Sequence, residues 1–318
     1  MNGHAPGLPG LACRLPHLGT TYLAIRIALE TIPPALVGAI RFTLAGIALI
    51  AILRSRGERL PDRRYWTGLA IAGGLMIGVG NGGVIWAEQW VPSGLVALLI
   101  ASTPFWMIGT EAMFGGGEPL SARIIAGLMI GFSGVVLLVW RDLAAGGAPG
   151  RQFAAGVIAV QVACLGWAAG SSHSRRHDRE QNALGGAALQ MLFGGLLMGL
   201  LGTVLGEWGR LSFTWRSASA ELYLLAVGSL AAYPAYVYAL KHLPVSTVSL
   251  YAYINPIIAV LLGTLLLDEP FGPRVIVAAA LVFSGIAVVR WKPKEGLGTR
   301  DAFQVPDSRL RVRPPAGR

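Results

Sequence analysis

The chain is a succession of apolar stretches of about 20 residues, separated by short polar breaks. That length is what an α-helix needs to cross the hydrocarbon core of a bilayer. Ten such stretches lie at 10–29, 35–53, 67–86, 94–113, 122–140, 154–173, 183–205, 219–240, 246–266 and 273–290. The pattern predicts an all-α polytopic membrane protein of about ten transmembrane helices.

Composition and charge agree with this prediction. Charged residues form 13% of the 318 residues and hydrophobic residues form 54%, whereas soluble domains contain about 25% charged residues. The net charge of +10 does not indicate nucleic-acid binding, because the basic residues cluster in short loops and in the C-terminal tail. Their distribution assigns both termini to the cytoplasm by the positive-inside rule.

The chain also repeats itself. Residues 86–140 align with residues 238–291 across a one-residue gap, and a weaker match extends upstream at an offset of 149. The matched residues, called repeat equivalents below, include Pro92 and Pro244, Pro104 and Pro256, Gly134 and Gly285, Arg26 and Arg175, Arg41 and Gln190, and Gly46 and Gly195. Each copy contains five helices, so the second copy must enter the membrane from the opposite side. Inverted repeats of this kind are frequent in secondary transporters.

We therefore divide the chain into five parts. They are an atypical N-terminal segment at 1–17, a first repeat at 18–140, a linker at 141–153, a second repeat at 154–291 and a disordered basic cytoplasmic tail at 292–318. We expect the first half of helix one to be incomplete, because Pro6, Pro9 and Arg14 suit a membrane helix poorly. Our hypothesis for this beginning is a start codon or reading frame located elsewhere.

Several short motifs then resemble a known family. They are Gly19-Thr20-Thr21-Tyr22, Pro33-Pro34, Arg41-Phe42, Asn81-Gly82, Ala87-Glu88, Val91-Pro92-Ser93-Gly94, Tyr253-Ile254-Asn255-Pro256 and Glu269-Pro270. Their order and spacing over roughly residues 18–291 resemble the EamA-type family of the drug/metabolite transporter superfamily. The resemblance implies ten helices in two inverted halves and the export of metabolites or drugs across the inner membrane. Leu18 stands where that family usually has tryptophan.

Charged residues inside spans are the first candidates for a site, because burying a charge in a membrane is costly and usually serves function. Arg41 lies within helix two, where it either contacts substrate or forms a structural pair with Glu30 or Glu88. Glu111 lies late in helix four, where it is either a proton-coupling residue or a residue of the cytoplasmic interface. We interpret Glu88 itself as an interfacial cap at the end of helix three.

Asparagines and prolines predict local breaks in the helices. Asn81 is flanked by glycines, Asn255 precedes Pro256, and Thr103 precedes the equivalent Pro104. Proline removes a backbone donor and frees a carbonyl group, so these positions could expose polar groups to a cavity. The alternative is that the prolines only kink helices for packing.

The remaining candidates for a substrate site are aromatic and amide side chains. They can bind amphipathic substrates or cations, although aromatic residues also populate membrane interfaces. The predicted substrate-cavity residues are Tyr22, Arg41, Asn81, Thr103, Trp106, Trp167, Gln190, Tyr251 and Asn255, and the predicted coupling residue is Glu111.

Together these features predict a secondary transporter that exports small amphipathic metabolites by alternating access. No phosphate-binding Gly-rich loop with Lys-Ser/Thr is present, so the chain does not use ATP itself. A flippase of a lipid-linked substrate and an intramembrane enzyme remain alternatives, although no His-Glu-x-x-His motif occurs. We expect no catalytic residue, metal or cofactor, and the predicted partners are a small-molecule substrate and membrane lipid, without nucleic acid. A homodimer is left open.

Overall fold

The computed structural model describes residues 16–113, 122–145, 147–177, 182–242, 259, 262, 264–266 and 272–290. Within this part of the chain nine helices follow one another, and no strand occurs. The helices are α1 Pro16–Ala28, α2 Pro34–Ser55, α3 Arg63–Ala87, α4 Ser93–Met113, α5 Ala122–Ala145, α6 Gly147–His177, α7 Ala183–Val204, α8 Trp215–His242 and α9 Pro273–Arg290. Further helical positions at 259, 262 and 264–266 fall in the predicted ninth stretch, so α9 is the tenth predicted helix.

The lengths and compositions of these helices suit a membrane. Among the described residues, α2, α3, α4, α6, α7 and α8 are each long and apolar enough to cross it, and α5 and α9 contain shorter apolar segments. The prediction of an all-α polytopic membrane protein is confirmed. Residues 10–15 of the predicted helix one lie outside the described residues, and the described part of this helix is Pro16–Ala28.

The predicted linker at 141–153 is mostly helical. Helix α5 continues to Ala145 and α6 begins at Gly147, so the two helices are separated by a single position. Gly147 has a φ of 84°, a left-handed conformation that glycine adopts without steric cost. Most of the predicted linker is therefore part of these two helices.

Helices α2 and α7 approach each other so closely that glycine is required on both sides. A Cβ atom on Gly46 would lie 2.7 Å from the Leu192 nitrogen, and one on Gly195 would lie 2.5 Å from the Thr43 nitrogen. Gly46 and Gly195 are repeat equivalents, and so are Thr43 and Leu192 at the same offset. The contact is therefore reciprocal, as a pseudo-two-fold axis between the repeats requires.

The same reciprocity relates α5 to α9. A Cβ atom on Gly134 would lie 2.7 Å from the Ala278 carbonyl oxygen, and its equivalent Gly285 faces the carbonyl oxygen of Gly127. Gly127 and Ala278 are also equivalent by position. Small residues at such crossings let membrane helices approach closely and gain van der Waals contact.

The direction of these helix pairs shows that the repeats are inverted. Gly38 of α2 contacts Met198 of α7, whereas Gly46, further along α2, contacts the earlier Leu192. The two helices are therefore antiparallel. Because α2 and α7 are equivalent helices of the two repeats, one repeat runs through the membrane opposite to the other, and the predicted inversion is confirmed.

Each repeat also places a glutamate at the N-terminal end of a helix of the other repeat. The Glu207 carboxylate, which follows α7, accepts hydrogen bonds from the Ala35 and Leu36 amides of α2 at 3.0 and 3.2 Å. Its equivalent Glu58, which follows α2, accepts a 3.3 Å hydrogen bond from Asn182, the N-cap of α7. Each carboxylate thus lies at the N-terminus of the equivalent helix in the other repeat, where a negative charge is stabilising.

Helices α3 and α8, also repeat equivalents, each contain a π-helical segment. The segments are Gly74–Asn81 in α3 and Leu224–Ala232 in α8. The predicted break at Asn81 is therefore wrong: the helix continues, and the Asn81 amide donates to the Met76 carbonyl oxygen at 3.3 Å. Such wide turns are rare and are frequently found at functional sites.

We predict that Gly195→Ala destabilises the protein, because its Cβ atom would overlap the α2 backbone. Overpacking of this kind costs about 1–3 kcal/mol, which should lower the thermal unfolding midpoint in detergent. Gly199→Ala on the same helix is the control, since its Cβ atom would lie an ordinary 3.6 Å from Ala39. Equal midpoints for the two variants would contradict the close α2–α7 contact.

Candidate functional site

One face of α6 carries a continuous polar stripe. Its members are Gln161, Cys164, Trp167, Ser171 and Ser174, and their spacing of three or four residues places them on the same side of a helix. Apolar side chains of α6, by contrast, are exposed and suit contact with lipid, among them Ile158, Val162 and Leu165. Helix α6 therefore has a polar side that faces the bundle interior.

The first part of this stripe meets α4. The Trp106 indole donates to the Gln161 side-chain oxygen at 3.1 Å, and the Ser102 hydroxyl donates to the same oxygen at 3.0 Å. The Thr103 hydroxyl lies 3.4 Å from the Cys164 sulfur. The predicted residues Thr103 and Trp106 of α4 thus both contact α6, which belongs to the other repeat.

Pro104 interrupts α4 as the sequence suggests, but the freed carbonyl group does not face a cavity. Helix α4 turns at residues 101–102, between the helical segments Ser93–Ile100 and Thr103–Met113. The Thr103 hydroxyl donates to the Ile100 carbonyl oxygen at 2.6 Å. That oxygen is the one that a residue other than proline at position 104 would bind, so the break is satisfied within the helix.

The second part of the stripe meets α8. The Trp167 indole donates to the Tyr236 hydroxyl at 2.9 Å, and the Ser171 hydroxyl lies 2.9 Å from the same oxygen. The ring of Tyr233 stands edge-on to Trp167, with centroids 6.1 Å apart. Gly80 of α3 leaves room for the Trp167 ring, since a Cβ atom there would lie 3.2 Å from it.

Gln190 of α7 joins the same cluster. Its side-chain oxygen accepts from the Tyr233 hydroxyl at 2.9 Å, and its amide nitrogen donates to the Ser174 hydroxyl at 3.0 Å. Gln190 is fully buried. The predicted residues Trp167 and Gln190 therefore meet through Tyr233, and we call the set of Trp106, Gln161, Trp167, Gln190, Tyr233 and Tyr236 the central cluster.

Arg41 is buried at 3% exposure, close to the π segment of α8. Its Nε atom donates to the Ser229 hydroxyl at 3.0 Å, and its guanidinium lies 4.3 Å from the centre of the Phe42 ring. Two carboxylates interact electrostatically with the Arg41 guanidinium, and the interaction with Glu221 is stronger than that with Glu88. We call Arg41, Glu88, Glu221 and Ser229 the Arg41 cluster.

The structure supports one interpretation of this region from the sequence and corrects another. Glu88 caps the end of α3, as expected, its side chain is completely buried, and the Arg26 guanidinium donates to its main-chain oxygen. Glu30 is not a partner of Arg41, because it forms an exposed ion pair with Arg216 at 3.2 Å. Glu221, whose electrostatic interaction with Arg41 is the stronger of the two, is 5% exposed, and its position at the start of a predicted span did not indicate this burial.

Glu111 lies at the opposite end of the bundle. Its carboxylate forms an ion pair with the Arg175 guanidinium at 2.6 Å, and about a quarter of each side chain is exposed (26% and 25%). We call these two residues the Glu111 pair. It joins α4 of the first repeat to α6 of the second.

The remaining candidates lie elsewhere. Tyr22 is buried in the core on α1, and Asn81 is partly buried in α3. Tyr251 and Asn255 lie outside the described residues. Five further residues of these clusters are not among the predicted ones: Gln161, Ser171, Tyr233, Tyr236 and Glu221. The spacing of polar positions by three or four residues along α6 is a signal in the sequence that indicates the first two.

A groove of about 330 Å³ opens separately between α1 and the first turns of α8. The residues that line it include Thr20 and Tyr223, whose hydroxyl groups are in contact, and Ile27 and Arg216.

Among the described residues, no three His, Cys, Asp or Glu side chains come together as they would to hold a metal ion.

Comparison with known proteins assigns this architecture to a family. Residues 17–140 and 154–291 each match the sequence model of the EamA-like transporter family. A solved crystal structure is similar in fold, with a TM-score of 0.60 and 22% identity over 88% of this chain and 95% of that chain.

Of three relatives that match most of this chain, two are named as a transporter or an exporter. The chain is 34% identical over 249 residues to the "uncharacterized inner membrane transporter YedA" of Escherichia coli, which covers 77% of this chain and 78% of YedA. It is 28% identical to protein PecM of Dickeya dadantii, over 86% of this chain and 88% of PecM. It is 25% identical to a "probable terminal-alkyne amino-acid exporter" of Streptantibioticus cattleyicolor, over 91% and 94% of the two chains.

We predict that Arg41 and Glu221 stabilise the protein jointly. Both residues are buried and carry opposite charges that interact electrostatically, so removing either one leaves the charge of the other less well compensated, which is destabilising. The variants Arg41→Leu, Glu221→Leu and the double variant form a cycle whose coupling should exceed about 1 kcal/mol. Unfolding by detergent titration measures it.

The exposed pair Arg216 and Glu30 is the matched control for this cycle. Their side chains are 58% and 42% exposed, so solvent screens their interaction and the coupling should stay below about 1 kcal/mol. Coupling of the same size in both cycles would contradict a special role for the Arg41 cluster in holding α2 to α8.

Proposed function

Because this chain belongs to the EamA-like transporter family, we propose that it is a secondary transporter that exports small amphipathic metabolites across the inner membrane by alternating access. Membrane transport itself follows from the family and from the relatives named as transporters. Those names point to transporters rather than enzymes. The proposal adds the direction of transport, the class of substrate and the mechanism.

The observation that carries the proposal is the position of the central cluster between the repeats. Trp106 belongs to the first repeat, whereas Trp167, Gln190 and Tyr236 belong to the second. Sites of secondary transporters typically lie at the interface between inverted repeats. A site at this interface can be opened to one side or the other when the repeats move relative to each other.

The chemistry of the cluster supports an amphipathic substrate. Indole and phenol rings supply large apolar faces, and their N–H and O–H groups supply hydrogen bonds at defined points. Such a combination of apolar walls and a few polar groups is typical of small-molecule sites. The relative named as an amino-acid exporter supports an amino-acid-like compound, and a drug-like compound of similar polarity fits the same description.

The buried Arg41 argues against a strictly cationic substrate, because its positive charge lies in the same interior.

The distribution of basic residues supports a cytoplasmic position of both termini. Basic residues lie at the end of α2, at Arg54 and Arg56, and at the end of α6, at Arg175 and Arg176. The orientation follows from the enrichment of Lys and Arg on the cytoplasmic side.

We predict that one chemical class of ligand raises the unfolding temperature of the detergent-solubilised protein. The panel contains L-phenylalanine, L-methionine, uridine and tetraphenylphosphonium. A ligand at 100 times its Kd stabilises the folded state by about 2.7 kcal/mol. We expect stabilisation by an amino acid, and we expect it to be lost in Trp167→Leu, which removes the ring at the centre of the cluster.

Trp208→Leu is the control, since Trp208 is 52% exposed outside the central cluster and should leave the shift unchanged. A folded protein that is stabilised by no member of the panel would contradict an amphipathic substrate of these classes. Equal loss of the shift in both tryptophan variants would contradict the location of the site.

A further inference from the structure

The described part of the chain places charged groups at both ends of the central cluster. The Arg41 cluster joins α2 to the first half of α8 through the hydrogen bond from Arg41 to Ser229. The Glu111 pair joins the end of α4 to the end of α6. Both therefore connect the first repeat to the second, and both would separate if the repeats moved apart at that end.

The two sets lie on opposite sides of the central cluster. Tyr236 of α8 and Ser171 of α6 mark one level of the bundle, because their hydroxyl oxygens are 2.9 Å apart. Glu221 precedes Tyr236 by about 22 Å along α8, at 1.5 Å per residue. Arg175 follows Ser171 by about 6 Å along α6.

Helices α6 and α8 run in the same direction at this level. Trp167 contacts Tyr233 and Tyr236, and the later Ser171 contacts Tyr236. Glu221 and Arg175 are consequently displaced from the central cluster in opposite directions. Their separation along the bundle approaches the thickness of the hydrocarbon core, about 30 Å.

From this arrangement, and resting on the proposed transport function, we propose that the Arg41 cluster and the Glu111 pair are the two gates of the transport path. Each set closes one end of the path by holding the two repeats together there. Arg41, Glu221, Glu111 and Arg175 are thus positioning residues for transport, and they control which side of the membrane reaches the central cluster.

Charged gates have a physical advantage over apolar ones. Closing a gate removes charges from water, and this desolvation cost offsets most of the attraction between opposite charges. Opening it lets water hydrate them again. The open and closed states therefore differ little in free energy, as a transporter that alternates between two states requires.

The Arg41 cluster is also attached to an irregular helix. Ser229 lies within the π segment Leu224–Ala232 of α8, and Glu88 follows the helix that contains the equivalent π segment of α3. A π segment holds its backbone hydrogen bonds in a wider register than an α-helix. Loss of the hydrogen bond between Arg41 and Ser229 can therefore separate α8 from α2 at the point where the backbone of α8 deviates from regular geometry.

Cys164 provides a reporter for this proposal. It is 1% exposed, lies on the polar stripe of α6 beside Thr103, and is between the two proposed gates. The chain contains two cysteines, so Cys13→Ser leaves Cys164 as its single thiol. A charged, membrane-impermeant methanethiosulfonate reagent then measures the access of water to the path from either face of membrane vesicles.

We expect Glu111→Gln to accelerate modification of Cys164 from one face and Glu221→Gln to accelerate it from the opposite face. The acceleration should be at least about fivefold, as for a population shift from one weakened interaction. Ser229→Ala, which removes the hydrogen bond to Arg41, is the milder second variant for the Arg41 cluster and should act from the same face as Glu221→Gln.

Glu30→Gln is the control, because it removes the same charge from an exposed pair and should leave both rates unchanged. The double variant Glu111→Arg/Arg175→Glu should restore slow modification, because it re-forms the ion pair with the two charges exchanged. Folded gate variants without acceleration, acceleration from a single face by both, or an equal effect of Glu30→Gln would overturn the proposal. The measurement uses no substrate, so it remains independent of the ligand-binding test of function.

Discussion

The close contact of α2 with α7 is the constraint on which the rest of the structure depends. Gly46 and Gly195 allow the two backbones to meet without intervening side chains, and they do so reciprocally because they are repeat equivalents. The same crossing brings the equivalent residues Arg41 and Gln190 into the interior, where Arg41 bonds Ser229 and Gln190 bonds Tyr233, both on α8. A side chain at either glycine would push apart the surfaces that form the candidate site.

The bilayer explains why polar side chains of α6 and α8 bond to one another in the interior. In a medium without water, a polar side chain that lacks a hydrogen bond is costly, and charges are tolerated only in the protein interior or beside a path for solutes. The central cluster meets this requirement with bonds among Trp167, Tyr236 and Ser171 that cross from one helix to another. A substrate can exchange these bonds for its own, so the cluster is both a structural element and a suitable place for binding.

Much of the fold could be predicted from the sequence, because a membrane span leaves a strong signal of length and hydropathy, and the duplication with an odd number of helices determines the inversion. The site was only partly predictable. Thr103, Trp106, Trp167 and Gln190 were found as polar or aromatic residues deep in spans, but their partners depend on which helices adjoin, and hydropathy does not contain that information. Likewise, the glycines around position 81 suggested a break, whereas the wider turns of a π segment satisfy the backbone without one.

We propose that a path between the two inverted repeats carries a small molecule across the membrane. Counterflow tests this proposal in liposomes that contain the purified protein and a high internal concentration of the stabilising compound, with a trace of the radiolabelled compound outside. We expect transient accumulation of label that liposomes without protein do not show and that Trp167→Leu abolishes. Binding of the compound without any accumulation would contradict the claim, because it would identify a binding site that does not open alternately to the two sides.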